Sequence, residues 1–412
     1  MTGETTGAMP LTLIRNADVY TPDHAGVMDV LIVGERVARV GKDLQKEFGA
    51  VRGLTVREGD GLRLVPGFID QHVHVAGGGG GGGFVTRGPE AMMSDLTRWG
   101  ITTAVGITGT DGTTRALIGL LAKVHALEAE GISAWMWTGS YDVPAPTLTG
   151  SIRGDLVLID KVIGVGEVAI SDHRSSMPTI PELARIAAEC RMGGRIGGKC
   201  GILHVHLGDE PSGLEPLFQL VRDFDVPITQ YCPTHVNRIP FLMDHAVKFA
   251  LEGGPIDLTT FVPGPQGMPK CIKASAAVMT ALNAGVPLDR ITLSTDGNGV
   301  HPFFGADGSI DRLELWQIGT LYEEVRDLVL DEGLPLEQAV RPVTLNVARL
   351  LRLERKGRVA AGADADLVLL DARLRIRDVY ARGRRVVENG QPVVKGWFEG
   401  KDHSALPRGE RP

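Results

Sequence analysis

Pro66-Gly67-Phe68-Ile69-Asp70-Gln71-His72-Val73-His74 decides how this chain is read. The apolar run 62–69 reads as a buried strand that ends in two histidines one residue apart. Alternate side chains of a strand share a face. The imidazoles of His72 and His74 therefore reach toward one point while Val73 faces away. That suits two ligands of a divalent metal such as zinc.

From Pro66 to about Leu351, short apolar runs alternate with longer helical segments, as in βα units around a parallel sheet. Strands are expected at 62–69, 101–107, 133–139, 166–171, 202–206, 227–231, 256–260 and 291–295. Helices such as 89–99, 114–130, 179–192, 213–223 and 270–284 fall between them. This predicts an α/β fold, a (β/α)8 TIM barrel over 66–351. Residues 11–65 read as short strands with a hairpin turn at Gly34-Glu35, and strands return after Leu351. The flanks 1–65 and 352–400 are expected to pair into one small β-sandwich domain, leaving 401–412 as a C-terminal tail.

Composition narrows the function classes. The 412 residues suffice for one large and one small domain. A hydrophobic content of 43% with 23% charged residues is that of a globular protein. A formal net charge of -7 argues against nucleic-acid binding. No apolar stretch approaches the ~18 residues of a membrane span, and Met1 to Leu11 lacks the basic-then-apolar pattern of a signal peptide. Cys190, Cys200, Cys232 and Cys271 are scattered without CxxC spacing. They read as reduced thiols of a cytoplasmic protein, not as metal ligands.

Several predicted strands end in polar side chains, where barrel enzymes build their sites. The first offers His72 and His74, and the fourth Glu167. The fifth ends in His204-Val205-His206-Leu207-Gly208-Asp209. The sixth runs into Pro233-Thr234-His235-Val236-Asn237-Arg238, and the eighth into Ser294-Thr295-Asp296-Gly297-Asn298-Gly299. Four histidines and two carboxylates are ligands enough for two metal ions.

The His-x-His after strand 1, single histidines after strands 5 and 6 and the aspartate after strand 8 resemble the amidohydrolase superfamily. Within it the chain is similar to the isoaspartyl (β-aspartyl) dipeptidases. The matching stretches include Pro66 to His74, Gly109-Thr110-Asp111, Thr138 to Pro144, Ala169 to Ser175, Pro233 to Arg238, Ser294 to Gly299 and Val379 to Gly383. The resemblance implies that His72, His74 and Asp296 hold one metal and His206 and His235 the other. It implies two divalent ions, of zinc type, and hydrolysis of a small dipeptide or amide by a metal-bound hydroxide. Asp296 would carry the proton and Tyr141 would polarise the scissile carbonyl. Arg174 and Arg238 would grip a substrate carboxylate. Thr110 and backbone N–H groups of the glycine run near Gly79 would hold the aspartyl carboxylate. A homo-oligomer is implied too, since the family forms octamers.

Three positions depart from the family pattern. Where the family has a carboxylated lysine on strand 4, this chain has Glu167, in a segment that reads as one residue longer; Lys161 is the nearest lysine. Where the family's loop has a glutamate for the substrate α-amino group, Gly81 stands within seven consecutive glycines, Gly77 to Gly83. A substrate-binding serine is replaced by Val300. His204 lies on the same strand face as His206, as a supporting or substitute ligand. The leading expectation is an isoaspartyl dipeptidase-like hydrolase. Gly81 and Val300 keep open an amidohydrolase of cyclic amides or N-substituted amino acids, and a non-catalytic scaffold relative is the third reading.

Overall fold

The computed structural model describes residues 11–264, 268–305 and 307–400; the expected tail lies outside them. The N-terminal strands are β1 (Leu11–Tyr20), β2 (His24–Val33), β3 (Arg36–Gly41), β4 (Leu54–Glu58) and β5 (Arg63–Pro66). The parallel strands follow as β6 (Phe68–Val73), β7 (Ile101–Gly106), β8 (Ser133–Thr138), β9 (Val162–Ile170), β10 (Ile202–Leu207), β11 (Tyr231–Thr234), β12 (Ile256–Thr259) and β13 (Ile291–Ser294). A hairpin of β14 (Val300–Phe304) and β15 (Ile310–Leu315) precedes the last helices. The C-terminal strands are β16 (Leu367–Leu370), β17 (Ile376–Ala381), β18 (Arg384–Glu388) and β19 (Gln391–Pro392).

The termini meet as expected. The ladders run β19-β18-β17-β16-β5-β1-β2-β3, with β4 branching from β1. The expected sandwich implied two stacked sheets, whereas these strands are bonded into one nine-stranded sheet. The ten-residue β1 makes this possible: opposite β2 its register shifts after Ile14, and its first half pairs with β4 while Asp18 and Val19 pair with β5. The turn at Gly34-Glu35 joins β2 to β3 as read, with Gly34 at φ +57°.

The predicted strand 62–69 is two strands. β5 pairs antiparallel with β16 in the small sheet, while β6 pairs parallel with β7. Gly67 is the break. Its N–H donates to the Asp366 carbonyl at 2.7 Å, and a Cβ there would overlap the Thr102 side chain. The quoted stretch therefore joins the two sheets.

β6 to β11 form a six-stranded parallel sheet, and β12 and β13 a parallel pair. The chain after β13 returns beside β6: the Asp296 N–H donates to the His72 carbonyl at 3.0 Å, and the His74 N–H to the Gly297 carbonyl at 2.9 Å. Inside, the buried Asp257 accepts from Gln71 of β6, Thr234 of β11, and Thr292 and Ser294 of β13 at 2.6–2.7 Å. One carboxylate thus ties four strands together. Phe68, Val165 and Val168 face the helices, whereas Ile69, Trp137, Ile163 and Ile202 fill the interior with Val347 and Leu351 of the last helical region. No helix among the described residues is long and apolar enough to cross a membrane.

Cys200 sits in that interior cluster, its thiol donating to the Ile163 carbonyl at 3.0 Å. Burial raises its pKa from 9.0 to about 11. A raised thiol pKa leaves stability intact below pH 9 and removes it as pH climbs through 11, at ~1.4 kcal/mol per pKa unit. Urea unfolding at pH 8 and pH 11 should therefore show a loss in the native protein that is smaller by about 2 kcal/mol in Cys200→Ala. Equal losses in both proteins would contradict the assignment.

Candidate metal and active site

The strand ends deliver the expected residues to one place, and β9 does so by a bulge. Leu203 of β10 pairs with Val165 and Val205 with Val168, so two steps on β10 face three on β9. With Val165 and Val168 both turned to the helices, the bulge turns Glu167 inward, the usual way a bulge re-aims a side chain beside a site. Gly166 is required there, because a Cβ would stand 2.7 Å from the His204 Cβ.

Glu167 is 1% exposed and touches three imidazoles. Its Oε1 lies 3.4 Å from His72 Nε2, and its Oε2 lies 2.9 Å from His206 Nδ1 and 3.2 Å from His235 Nε2. Asp296 Oδ1 lies 2.9 Å from His74 Nε2 and 3.5 Å from His72 Nε2. His235 and Asp296 hold left-handed backbone, at φ 64° and 54°. Such conformations persist where surrounding structure fixes them.

Two sets of ligand atoms converge: His72, His74 and Asp296, and His72, Glu167 and His235. Ligands ~2.1 Å from a tetrahedral ion stand ~3.4 Å apart, the spacing of His72 Nε2 from both carboxylates. That nitrogen is buried and has no hydrogen-bond partner. The donor set of imidazoles and carboxylates suits a divalent ion of zinc type. His206 belongs to neither set; its ring is held between Glu167 at Nδ1 and Asp172, 2.9 Å from Nε2.

The electrostatics point the same way. Burial opposes protonation of His72, but Glu167 and Asp296 outweigh it and hold its pKa well above the imidazole range. Burial opposes ionisation of Glu167 and Asp296, yet the histidines keep both below the carboxylate range. Two ionised carboxylates in a buried pocket call for positive charge. Burial depresses His235 to about 4, leaving its ring neutral and able to bind a metal.

A second layer orients these ligands. His204 Nε2 lies 2.8 Å from His72 Nδ1, and its ring stacks on Trp137 with centroids 4.9 Å apart. Thr259 Oγ1 lies 2.7 Å from His235 Nδ1. Lys161 is elsewhere: it pairs with Glu128 at 2.6 Å.

Gly79, Thr110, Tyr141, Arg174, Arg238 and Val300 all line one cleft of about 470 Å³ with His74, Glu167, His206 and Asp296. Asp172 grips Arg174 by two bonds, 2.9 Å to Nε and 2.6 Å to Nη2, and Asp209 accepts from Arg238 Nε at 2.5 Å. Tyr141 Oη lies 2.8 Å from His206 Nδ1, and burial with the nearby Glu167 raises its pKa well above 10.0, so it remains a donor. Gly81 is exposed, does not line the cleft, and has open space around its Cβ position.

Sequence reasoning missed four parts of the site. Asp172 was readable as the acid two residues before Arg174. Phe261, His301 and Trp316 form an aromatic wall, with ring centroids 5.8 Å apart for Phe261–Trp316 and 5.5 Å for His301–Trp316. Nothing in local sequence announces that wall, because the β14–β15 hairpin assembles it.

Residues 256–400 match the model of an amidohydrolase family. The β-aspartyl dipeptidase of the thermophilic, keratin-degrading Fervidobacterium islandicum AW-1, solved in complex with a β-Asp-Leu dipeptide, is 42% identical. It superposes with a TM-score of 0.85 over 93% of this chain and 98% of that one. This chain belongs to the amidohydrolase family. It is a hydrolase of C–N bonds. The amidohydrolase fold extends to the dihydropyrimidinase of Brevibacillus agri NCHU1002, at 18% identity and a TM-score of 0.63 over 94% of this chain and 96% of that one. The imidazolonepropionase of Anaeromyxobacter sp. (strain K) is 25% identical over 406 residues, 87% of this chain and 89% of that protein.

His204→Ala removes the group that orients His72. Loss of such an outer partner typically weakens metal binding ~10- to 100-fold. A competitive zinc titration should show that loss, with the circular dichroism spectrum unchanged. Undiminished affinity would reduce His204 to packing against Trp137.

Proposed function

We propose that this amidohydrolase cleaves the side-chain amide of isoaspartyl (β-aspartyl) dipeptides or closely related carboxylate-bearing amides. The supporting observation is that two convergent ligand sets, Tyr141 and two aspartate-anchored arginines open into one cleft. The 42%-identical dipeptidase lends support. In this reading 66–351 form a (β/α)8 barrel, and 1–65 with 352–400 the small β domain. The four free thiols favour a reducing, cytoplasmic setting, and the family resemblance favours a homo-oligomer.

His72, His74, Glu167, His206, His235 and Asp296 would hold two divalent ions, with Glu167 in the place of the family's lysine. When bound, such ions acidify a water and polarise the amide carbonyl. The chain supplies the remainder. Tyr141 Oη donates to the developing oxyanion. Asp296, held ionised, accepts the proton of the attacking water and delivers it to the leaving amine nitrogen. Arg174 and Arg238 bind the leaving residue's carboxylate, pre-aligned by Asp172 and Asp209. Thr110 and the Gly79 backbone hold the aspartyl carboxylate.

A second reading, an amidohydrolase for N-substituted amino acids or cyclic amides, draws on the loop. Gly81 has no carboxylate, and a Cβ on Gly79 would stand 2.8 Å from the Val300 Cβ, so that wall is apolar and close-packed.

Elemental analysis should find about two divalent ions per chain. Because no lysine needs carboxylation, activity should be independent of bicarbonate. Glu167→Ala should lose metal and activity together; a variant keeping both would remove Glu167 from the centre.

Specificity separates the two readings. A lost charge-assisted contact costs ~1.5–3 kcal/mol, or ~10- to 100-fold in rate. With Gly81 supplying none, N-acetylating a β-aspartyl dipeptide should change kcat/KM little. Amidating its C-terminal carboxylate should lower it ~10- to 100-fold through Arg174 and Arg238. Gly81→Glu should shift preference toward the free amine if the loop follows the family's path over the cleft. A strong preference for the free amine in the native enzyme would show that another group replaces the missing glutamate.

A further inference from the structure

At the opposite end of the strands from the active site lies a second cavity, of about 910 Å³ open to solvent. It is walled by Arg191, Arg290, Arg349 and Arg352, with Asp289 as its one acidic lining residue. The chain as a whole is acidic, at a net charge of -7, so four guanidinium groups around one cavity run against the average. Among the described residues, no carboxylate pairs with any of the four.

The cavity is structured beneath those charges. Gln230, 5% exposed, accepts from Arg191 Nη1 at 3.3 Å through its Oε1 and donates through Nε2 to the Gly201 carbonyl. A buried amide thus positions one guanidinium at the wall. Asn346 Nδ2 donates to the carbonyls of Leu288 and Ile291 at 2.8 Å each. Those bonds pin the helix Leu345–Leu350, which carries Arg349, to the segment that carries Arg290.

Guanidinium groups that line one cavity without a carboxylate pairing to any of them leave their charge uncompensated, and a multivalent anion supplies that compensation while accepting bidentate bonds from the planar groups. We propose that this cavity is a binding site for a phosphate-class oxyanion, either inorganic phosphate or pyrophosphate or the phosphates of a nucleotide. None of its residues belongs to the metal sets or the substrate cleft.

The test uses the full-length, metal-loaded protein. Thermal unfolding is followed with phosphate, pyrophosphate or ADP, each against potassium chloride at matched ionic strength, in the native protein and in Arg290→Gln/Arg349→Gln. Pyrophosphate should raise the native midpoint by about 3 °C or more, and calorimetry should show affinity at least ~10-fold weaker in the variant. Tighter binding of ADP than of pyrophosphate would assign the site to a nucleotide, and the reverse order to the free anion; both support it. If the double variant does not fold, hydrogen exchange of the native protein decides. Protection of 286–292 and 345–352 by pyrophosphate, not by chloride, is then expected. No effect of pyrophosphate beyond that of chloride, or equal binding by a folded variant, would overturn the proposal.

Discussion

The site depends on burying the carboxylate of Glu167. An ionised carboxylate removed from water is costly unless charge and hydrogen bonds replace the solvent. Here three imidazoles surround it, from β6, the end of β10 and the turn after β11. Each lies on a different element, so the sheet must curl for the charge to be satisfied. The β9 bulge and Gly166 follow from the same requirement: one extra residue turns the side chain inward, and a missing Cβ lets His204 approach.

The second constraint is the return of β13 to β6. Asp70, fully buried with its pKa raised by burial to about 6, accepts from the Thr295 side chain and backbone N–H. Backbone bonds from Asp296 and His74 complete the seam. Without it, His72 and His74 would belong to one edge of the sheet and Asp296 to another. Asp257 performs the matching task deeper in the interior.

The two arginines of the cleft illustrate a different principle. Arg174 and Arg238 are long, flexible cations, and a flexible cation loses entropy when it grips a ligand. The aspartates that hold them remove much of that loss in advance. Val300, Phe261 and Trp316 line the same cleft, so it combines cationic with apolar and aromatic surface.

By itself, the sequence determined the amidohydrolase framework, the terminal strands as partners, and the metal-ligating and substrate residues as candidates. These were legible because strand alternation and motifs such as His72-Val73-His74 are local, and alternation fixes which side chains share a face. The β9 bulge that turns Glu167 inward, by contrast, shows only in the strand register. Only the tertiary structure decided the rest. It split 62–69 at Gly67, because two sheets compete for that backbone. It merged the terminal strands into a single sheet, set His204 behind His72, and gave Arg238 its aspartate. The aromatic wall and the arginine-lined cavity likewise join residues far apart in the chain, and such contacts are set by packing, which no local pattern encodes.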